Sequence, residues 1–258
     1  MVRHRGIGAL LKDRNILVTG ATGGIGRAIT ARIADLGGHP IIHFRRNRAE
    51  AERLLQRIGG RGTLLQADLA VPEGATQLWL QAEAALGHIH GLVNNAGIRA
   101  TARLSDDLAA WAAAWEVDLR VNLRAPADLC RMAIPHFRAR GGGQIVNIAS
   151  RAAQRGYTPD HMPYGASKAG LVNLTKSIAR AYGADGIVAV AVAPGFVRTE
   201  MAEAFIREKG EAAVLGEIPI GAMVEPQEIA DIVCLALDPA QRSLSGATLD
   251  VNGASHVR

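Results

Sequence analysis

The amino-acid sequence predicts an α/β fold: a doubly wound parallel sheet in a single domain spanning residues 1–258. Three observations predict it. Apolar runs of strand length alternate with longer helical patterns along the whole chain. The runs are near-continuous in Val, Ile and Leu, as strands covered on both faces by crossover helices must be. A glycine-rich turn follows directly on the first run and opens the first helix, the signature of a Rossmann-type unit.

The elements follow in order. "NILVTG" at 15–20 is the first strand, and its glycine turn leads into a helix over 24–36. "HPIIHF" at 39–44 precedes a helix over 47–58, and "GTLLQAD" at 62–68 precedes one over 73–86. "HGLVNNAG" at 90–97 is followed by a long helical region, 105–140, and "GQIVNIAS" at 143–150 by a helix from about 162 to 183. "GIVAVAVAPG" at 186–195 leads to helices at 200–214 and 226–237, and "ATLDVNG" at 247–253 closes the sheet. No repeat, low-complexity segment or linker divides the chain. "GIGALL" at 6–11 also has the look of a phosphate turn, but no strand precedes it.

Ligands of open parallel sheets lie beyond the carboxyl ends of the strands, so the residues there are the candidates. The turn holding Gly20, Thr22, Gly23, Gly24, Ile25 and Gly26 lets the backbone approach a pyrophosphate, whose charge suits the free N–H groups of a helix start. Asp68, followed by Leu69, accepts either an adenine amino group or the N–H groups of a helix start. Asn95, Ala96 and Gly97 border the place of a cofactor ribose, whereas Asn94 has the alternative of bonding neighbouring backbone. Ser150 ends the fifth strand and shares this edge with the others. Asn122 sits within a helix, where asparagine is a mediocre former, so it is either solvated or functional. Tyr164 and Lys168 lie four positions apart in "PYGASKAG", on one face of a helix, either as plain surface or as a proton donor beside a cation.

Taken in order, "TGATGGIG", "NNAG", Asn122 within "VNL", "IVNIAS", "YGASK" and "APGFVRT" resemble the short-chain dehydrogenase/reductase family, and the resemblance covers essentially the whole chain. It implies a nicotinamide-dependent oxidoreductase in which Asn122, Ser150, Tyr164 and Lys168 form the catalytic tetrad. Tyr164 is then the general acid or base, its proton made mobile by the positive charge of Lys168 and of the oxidised nicotinamide. Ser150 stabilises the substrate oxygen, Lys168 also holds the nicotinamide ribose, and Asn122 anchors a water in a proton relay. Pro194, Gly195, Val197 and Thr199 are implied to hold the nicotinamide amide, and residues 196–220 to cover the substrate. Tyr164 and Lys168 thus count as cofactor residues as well.

The resemblance is strongest to 3-oxoacyl-carrier-protein reductases and their relatives, which include sugar, steroid and small-alcohol dehydrogenases. Members that dock the acidic carrier tend to carry a basic residue where this chain has Asp185; Arg138 and Arg140 remain as a basic docking face. The Ser150 to Tyr164 loop is about one residue longer than the commonest form and lines the substrate entrance. A nonenzymatic nucleotide-sensing protein is the reading from another class. A homotetramer, or at least a homodimer, is expected, paired through the helical region 105–140 and the helix at 162–183, with Ala166, Ala169, Leu171 and Ile178 allowing close packing.

The second strand decides the cofactor. An acidic residue about 20 positions beyond the glycine turn bonds a ribose 2′-hydroxyl, and here Phe44 stands at that place, followed by Arg45 and Arg46. A guanidinium fork fits a 2′-phosphate, so NADP(H) is expected over NAD(H), with Arg45 the first clamp and Arg46 the second; the alternative is two solvated arginines. NADP-dependent relatives also place a basic residue within the glycine turn, where this chain has Gly23.

The formal charge of +5 comes from 29 basic residues, only four of them lysines, dispersed without a cluster or interleaved aromatics, which argues against nucleic acid. No apolar run reaches the roughly 18 residues of a membrane span, and the segment at the start is too short for a secretory signal. A cytoplasmic protein without a membrane partner is expected. Cys130 and Cys234 read as packed core thiols, and no metal-ligand cluster is visible.

Overall fold

The computed structural model describes residues 10–258, except the side chains of residues 201, 204, 205, 208 and 209. Residues 6–9 of the "GIGALL" stretch thus lie outside the described residues. The elements are β1 Asn15–Val18, α1 Gly24–Asp35, β2 His39–Phe44, α2 Arg48–Arg57, β3 Thr63–Gln66, α3 Gly74–Leu86 and β4 Gly91–Asn94. There follow α4 Leu108–Leu119, α5 Ala125–Arg138, β5 Gly143–Ile148, α6 Ala152–Arg155, α7 Met162–Tyr182 and β6 Ile187–Pro194. The chain continues with α8 Glu200–Lys209, α9 Glu211–Gly216, α10 Pro226–Leu237 and β7 Thr248–Val251.

All seven strands are parallel, in the order β3-β2-β1-β4-β5-β6-β7. The order reverses between β1 and β4, and the strand ends there open a crevice suited to a ligand. Each sheet face carries its own core, because successive strand residues point to opposite sides. Ile16 and Val18 pack with Ile29 and Ile33 of α1 and Val233 of α10. Leu17 packs on the other side with Trp79 of α3, Leu129 and Phe137 of α5, and Ile178 of α7.

The single helical region predicted over 105–140 is two helices. Asp107 caps α4, its Oδ1 accepting from the Ala110 N–H at 2.8 Å. A π-helical turn at Arg120–Arg124 then joins α4 to α5 and contains Asn122. An extra residue in a turn leaves no periodicity signal in sequence, and such turns recur at functional sites.

Asn94 does not bond neighbouring backbone. Its Nδ2 donates to Asn147 Oδ1 at 2.8 Å, and Asn147 Nδ2 donates to Thr175 Oγ1 at 2.8 Å, so a buried polar chain ties β4 and β5 to α7. Buried amides need such partners. Among the described residues no helix is long and apolar enough to cross a membrane. Cys130 and Cys234 are buried free thiols, each pushed up to about 12 by burial.

Candidate active site

The glycine turn is shaped by two positions. Gly20 has φ +61, a region side chains avoid, and a Cβ on Gly26 would stand 2.2 Å from the Gly20 carbonyl oxygen. Gly23 occupies the N-cap of α1, so no side chain caps the helix, and its first turn carries no acidic residue. The N–H groups of Gly24, Ile25 and Gly26 have no carbonyl four residues back within the helix, and the three residues line the crevice. An uncapped, acid-free helix start is a ready anion site.

The turn is braced from behind. Asn95 Nδ2 donates to the carbonyls of Thr19 and Gly20 at 2.9 and 3.0 Å. Thr19 Oγ1 accepts from the N–H groups of Asn95 and Ala96, each at 3.0 Å. His43, buried near the end of β2, accepts from the Gly20 N–H at Nδ1 (3.0 Å) and faces the Ala67 carbonyl with Nε2 at 3.1 Å. These bonds fix its tautomer, with the proton on Nε2. Thr19 and His43 were not singled out from sequence, and the one available signal for His43 was a polar residue within the apolar run "PIIHF".

Burial holds His43 down at about 4. A buried histidine depressed from 6.5 binds fewer protons folded than unfolded, so the stability tied to its neutral form is complete above pH 6.5 and is lost as pH falls toward 4. The gap corresponds to about 3 kcal/mol. His43→Gln, which cannot titrate, should flatten the fall in urea midpoint between these pH values; His90, also held down to about 4 by burial, leaves a residual slope. A variant as acid-sensitive as the native protein would reject this.

Gly20, Thr22, Gly23, Gly24, Ile25, Gly26, Phe44, Arg45, Asp68, Leu69, Asn95, Ala96, Gly97 and Thr199 line one cleft of about 1180 Å³. Arg46 does not line it. Asp68 is not the N-cap of α3, which is Glu73; its Oδ1 accepts from the Ala70 N–H at 2.9 Å in a local turn.

A second pocket, of about 860 Å³, adjoins the first and shares Ile25, Asn95, Gly97 and Thr199 with it. Ser150, Tyr164, Lys168, Pro194, Gly195 and Val197 line this one. Ser150 comes from the end of β5, and Tyr164 and Lys168 from the first turns of α7. Ser150 hydrogen-bonds the Tyr164 phenol. Lys168 Nζ donates to the Ile148 carbonyl at 2.7 Å and stands 5.8 Å from the Tyr164 ring centre. Asn122 is fully buried rather than solvated. Its Oδ1 accepts from the Ile98 N–H and its Nδ2 donates to the Ile98 carbonyl, both at 2.9 Å. A Cβ on Gly97 would lie 3.4 Å from both Asn122 Oδ1 and Lys168 Nζ, so these groups face one point.

Burial dominates the electrostatics of the protein alone. It pushes the Tyr164 phenol up to about 12, opposed by the Ser150 hydrogen bond, and brings Lys168 down to about 8. Among the residues lowering the phenol are Ser150 and Arg99, while the expected effect of Lys168 is not among the causes. Arg99 also lines the pocket and was not picked out from sequence; Arg151, in the loop expected at the entrance, and Phe196, at the start of the segment expected to cover the substrate, line it too. Tyr157 lies in the loop expected at the entrance, its ring centre 5.3 Å from that of Tyr164.

Comparison with known proteins decides the family. Residues 14–210 match the family model described as short chain dehydrogenase. The chain belongs to the short chain dehydrogenase family. It is 30% identical over 250 residues, covering 95% of this chain and 98% of the relative, to the 3-oxoacyl-[acyl-carrier-protein] reductase FabG of Staphylococcus aureus (strain Mu50 / ATCC 700699). A 3-oxoacyl-[acyl-carrier-protein] reductase of Synechocystis sp. is 33% identical over 243 residues, covering 92% and 94% of the two chains. A crystal structure from Sinorhizobium meliloti 1021, classed provisionally as a short-chain alcohol dehydrogenase, superposes with a TM-score of 0.87 at 30% identity, covering 97% of this chain and 98% of that one. This short chain dehydrogenase is thus an oxidoreductase acting on CH–OH groups or the matching carbonyls.

Proposed function

We propose that this short-chain dehydrogenase/reductase moves hydride between NADP(H) and a ketone or secondary alcohol, with Tyr164 as general acid and base. The observation that carries the reading is the shared wall of the two pockets: Ser150, Tyr164 and Lys168 stand beside a cleft lined by an uncapped helix start. The residues present fit a dinucleotide. The N–H groups of Gly24, Ile25 and Gly26 suit a pyrophosphate, and Asn95 holds the turn in shape for it. Arg45 lines the cleft at the end of β2 and is the chosen phosphate clamp; Arg46, outside the cleft, drops behind it.

The bound nicotinamide supplies or accepts the hydride. In the reducing direction Tyr164 gives its proton to the oxygen of the carbonyl being reduced, and Ser150 donates a hydrogen bond to that oxygen. In this reading the positive charge of Lys168 and of the bound oxidised nicotinamide together favour phenolate after transfer, whereas in the protein alone the phenol is lowered by Ser150 and Arg99. Asn122 holds the backbone of Ile98 and so the floor on which Gly97 faces Lys168.

The relatives' names favour a 3-oxoacyl thioester as the substrate family. Arg138 is paired with Asp185 at 3.1 Å, which weakens a basic docking face for an acyl carrier protein. A sugar, steroid or small-alcohol substrate is the competing assignment. The test is a panel of ketones and alcohols with NADPH, NADH and their oxidised forms, followed at the nicotinamide absorbance band. Nucleotide binding without turnover of any compound would instead favour a nonenzymatic sensor.

A cytoplasmic homotetramer or homodimer completes the reading. Ala166 and Ala169 are exposed on α7 and open to a partner helix, whereas Leu171 and Ile178, first considered for that face, are used in the core. Light scattering should give a mass of two or four chains, and a stable monomer would reject it.

A further inference from the structure

A buried carboxylate stands behind the proposed proton-transfer pair. Asp118, near the end of α4, is fully buried. Its Oδ1 accepts from the Ala100 N–H at 3.0 Å, and its Oδ2 has no hydrogen-bond partner. One turn further on, Asn122 holds Ile98 by two bonds, so the strip of chain over 97–100 lies along both side chains. A Cβ on Gly97, at the start of that strip, would lie 3.4 Å from Lys168 Nζ. Ala100 is three residues further on, at most about 10 Å of chain. The ammonium and the carboxylate thus stand at the two ends of one short strip, where α4 packs on α7.

An anion there acts on both members of the pair in the same sense. Burial brings Lys168 down to about 8, and Asp118 opposes that. Asp118 also raises the Tyr164 phenol, which burial above all pushes up to about 12. A nearby negative charge favours the protonated form of an amine and of a phenol alike. Burial pushes the Asp118 carboxyl itself up, and the Ala100 bond and the charges of Lys168 and Arg99 oppose this. The other charges around α7 are engaged or exposed. Arg120 and Arg124 of the π-helical turn pair with Asp128, and Arg155 of α6 pairs with Glu217. Arg99 bonds Tyr157 and His161 meets Thr158, while Glu116 and Asp160 are exposed. The strands β5 and β6 bring no titratable side chain.

From this juxtaposition we infer that Asp118 is a positioning residue that acts through Lys168 and Tyr164, keeping a proton on both so that the site rests in the form that reduces a carbonyl. The inference rests on the oxidoreductase reading and deepens it. Lys168 favours phenolate only while it is charged, and a buried ammonium keeps its charge best with an anion near it. When a carbonyl is reduced, the Tyr164 O–H bond breaks and the O–H bond of the product alcohol forms. The proton lost is replaced from solvent, and the carboxylate favours that return.

The test follows the lysine directly. The chain has four lysines, Lys12, Lys168, Lys176 and Lys209, so lysine-labelled protein gives four side-chain NMR signals, and the one missing in Lys168→Met is Lys168. Titrated in the protein alone, that signal should move to lower pH by about one unit in Asp118→Asn, the size of a Coulomb interaction across about 10 Å at an effective dielectric constant of about 20. The alkaline limb of kcat/KM for ketone reduction with NADPH should move down with it. A lysine titration unmoved by Asp118→Asn, or turnover lost evenly at every pH with the limb in place, would overturn the inference. Should Asp118→Asn not fold, the labelled Asp118 carboxyl of the native protein decides: ionised at pH 7 it upholds the inference, and protonated there it overturns it. A lysine shift in a protein that reduces no ketone of the panel would uphold the action of Asp118 on Lys168 and sink the oxidoreductase reading instead.

Discussion

Tyr164→Phe is expected to lower kcat by about 100-fold or more while leaving the urea midpoint and NADPH affinity within error, since general acid–base groups contribute on the order of 10²–10⁴ in rate. The substitution removes one hydroxyl. The ring keeps its packing on Tyr157 at 5.3 Å, and Lys168 keeps its bond to the Ile148 carbonyl, so the pocket survives. What disappears is the proton that neutralises the developing alkoxide and the partner of Ser150. Burial above all pushes this phenol up to about 12, so a proton is present on it at neutral pH and the reducing direction starts with the acid loaded. Steady-state kinetics with the best ketone from the panel, beside calorimetric NADPH binding, checks the prediction. Turnover near the native rate would remove Tyr164 from the mechanism.

The second large effect is on cofactor choice. Native protein should prefer NADPH over NADH in kcat/KM, and Phe44→Asp/Arg45→Ala should reverse the order. Phe44 and Arg45 both line the cleft at the end of β2, and Gln66 Nε2 bonds the Arg45 carbonyl at 2.9 Å, fixing the backbone that presents the guanidinium. A charge-assisted hydrogen bond contributes about 1.5–3 kcal/mol, so losing Arg45 alone should cost roughly 10- to 100-fold with NADPH and little with NADH. The aspartate then repels a 2′-phosphate and accepts from a 2′-hydroxyl. Because Phe44 is 2% exposed, the aspartate also loses packing, and Arg45→Ala by itself is the arm free of that cost. Native preference for NADH, or a double variant still preferring NADPH, would show that this strand end does not select the cofactor.

Much of the fold was determined by the sequence alone, because its signals are local. Strand-length apolar runs alternating with helices fix a parallel sheet, since a strand such as β6, buried at every position, requires cover on both faces. The glycine turn was legible because φ +61 at Gly20 favours glycine and a Cβ at Gly26 would stand 2.2 Å from the Gly20 carbonyl oxygen. Ser150, Tyr164 and Lys168 were picked out through an ordered run of motifs, and the structure brings the three to one pocket. What only the tertiary structure decided is how side chains far apart in sequence meet. His43 against Gly20 and Ala67, Asn94 against Asn147 and Thr175, and Arg99 beside Tyr157 all join residues more than 20 positions apart. No periodicity or spacing encodes such pairs. Their partners are set by strand register and by a π-helical turn, and it is the buried, low-dielectric setting of His43 that depresses it.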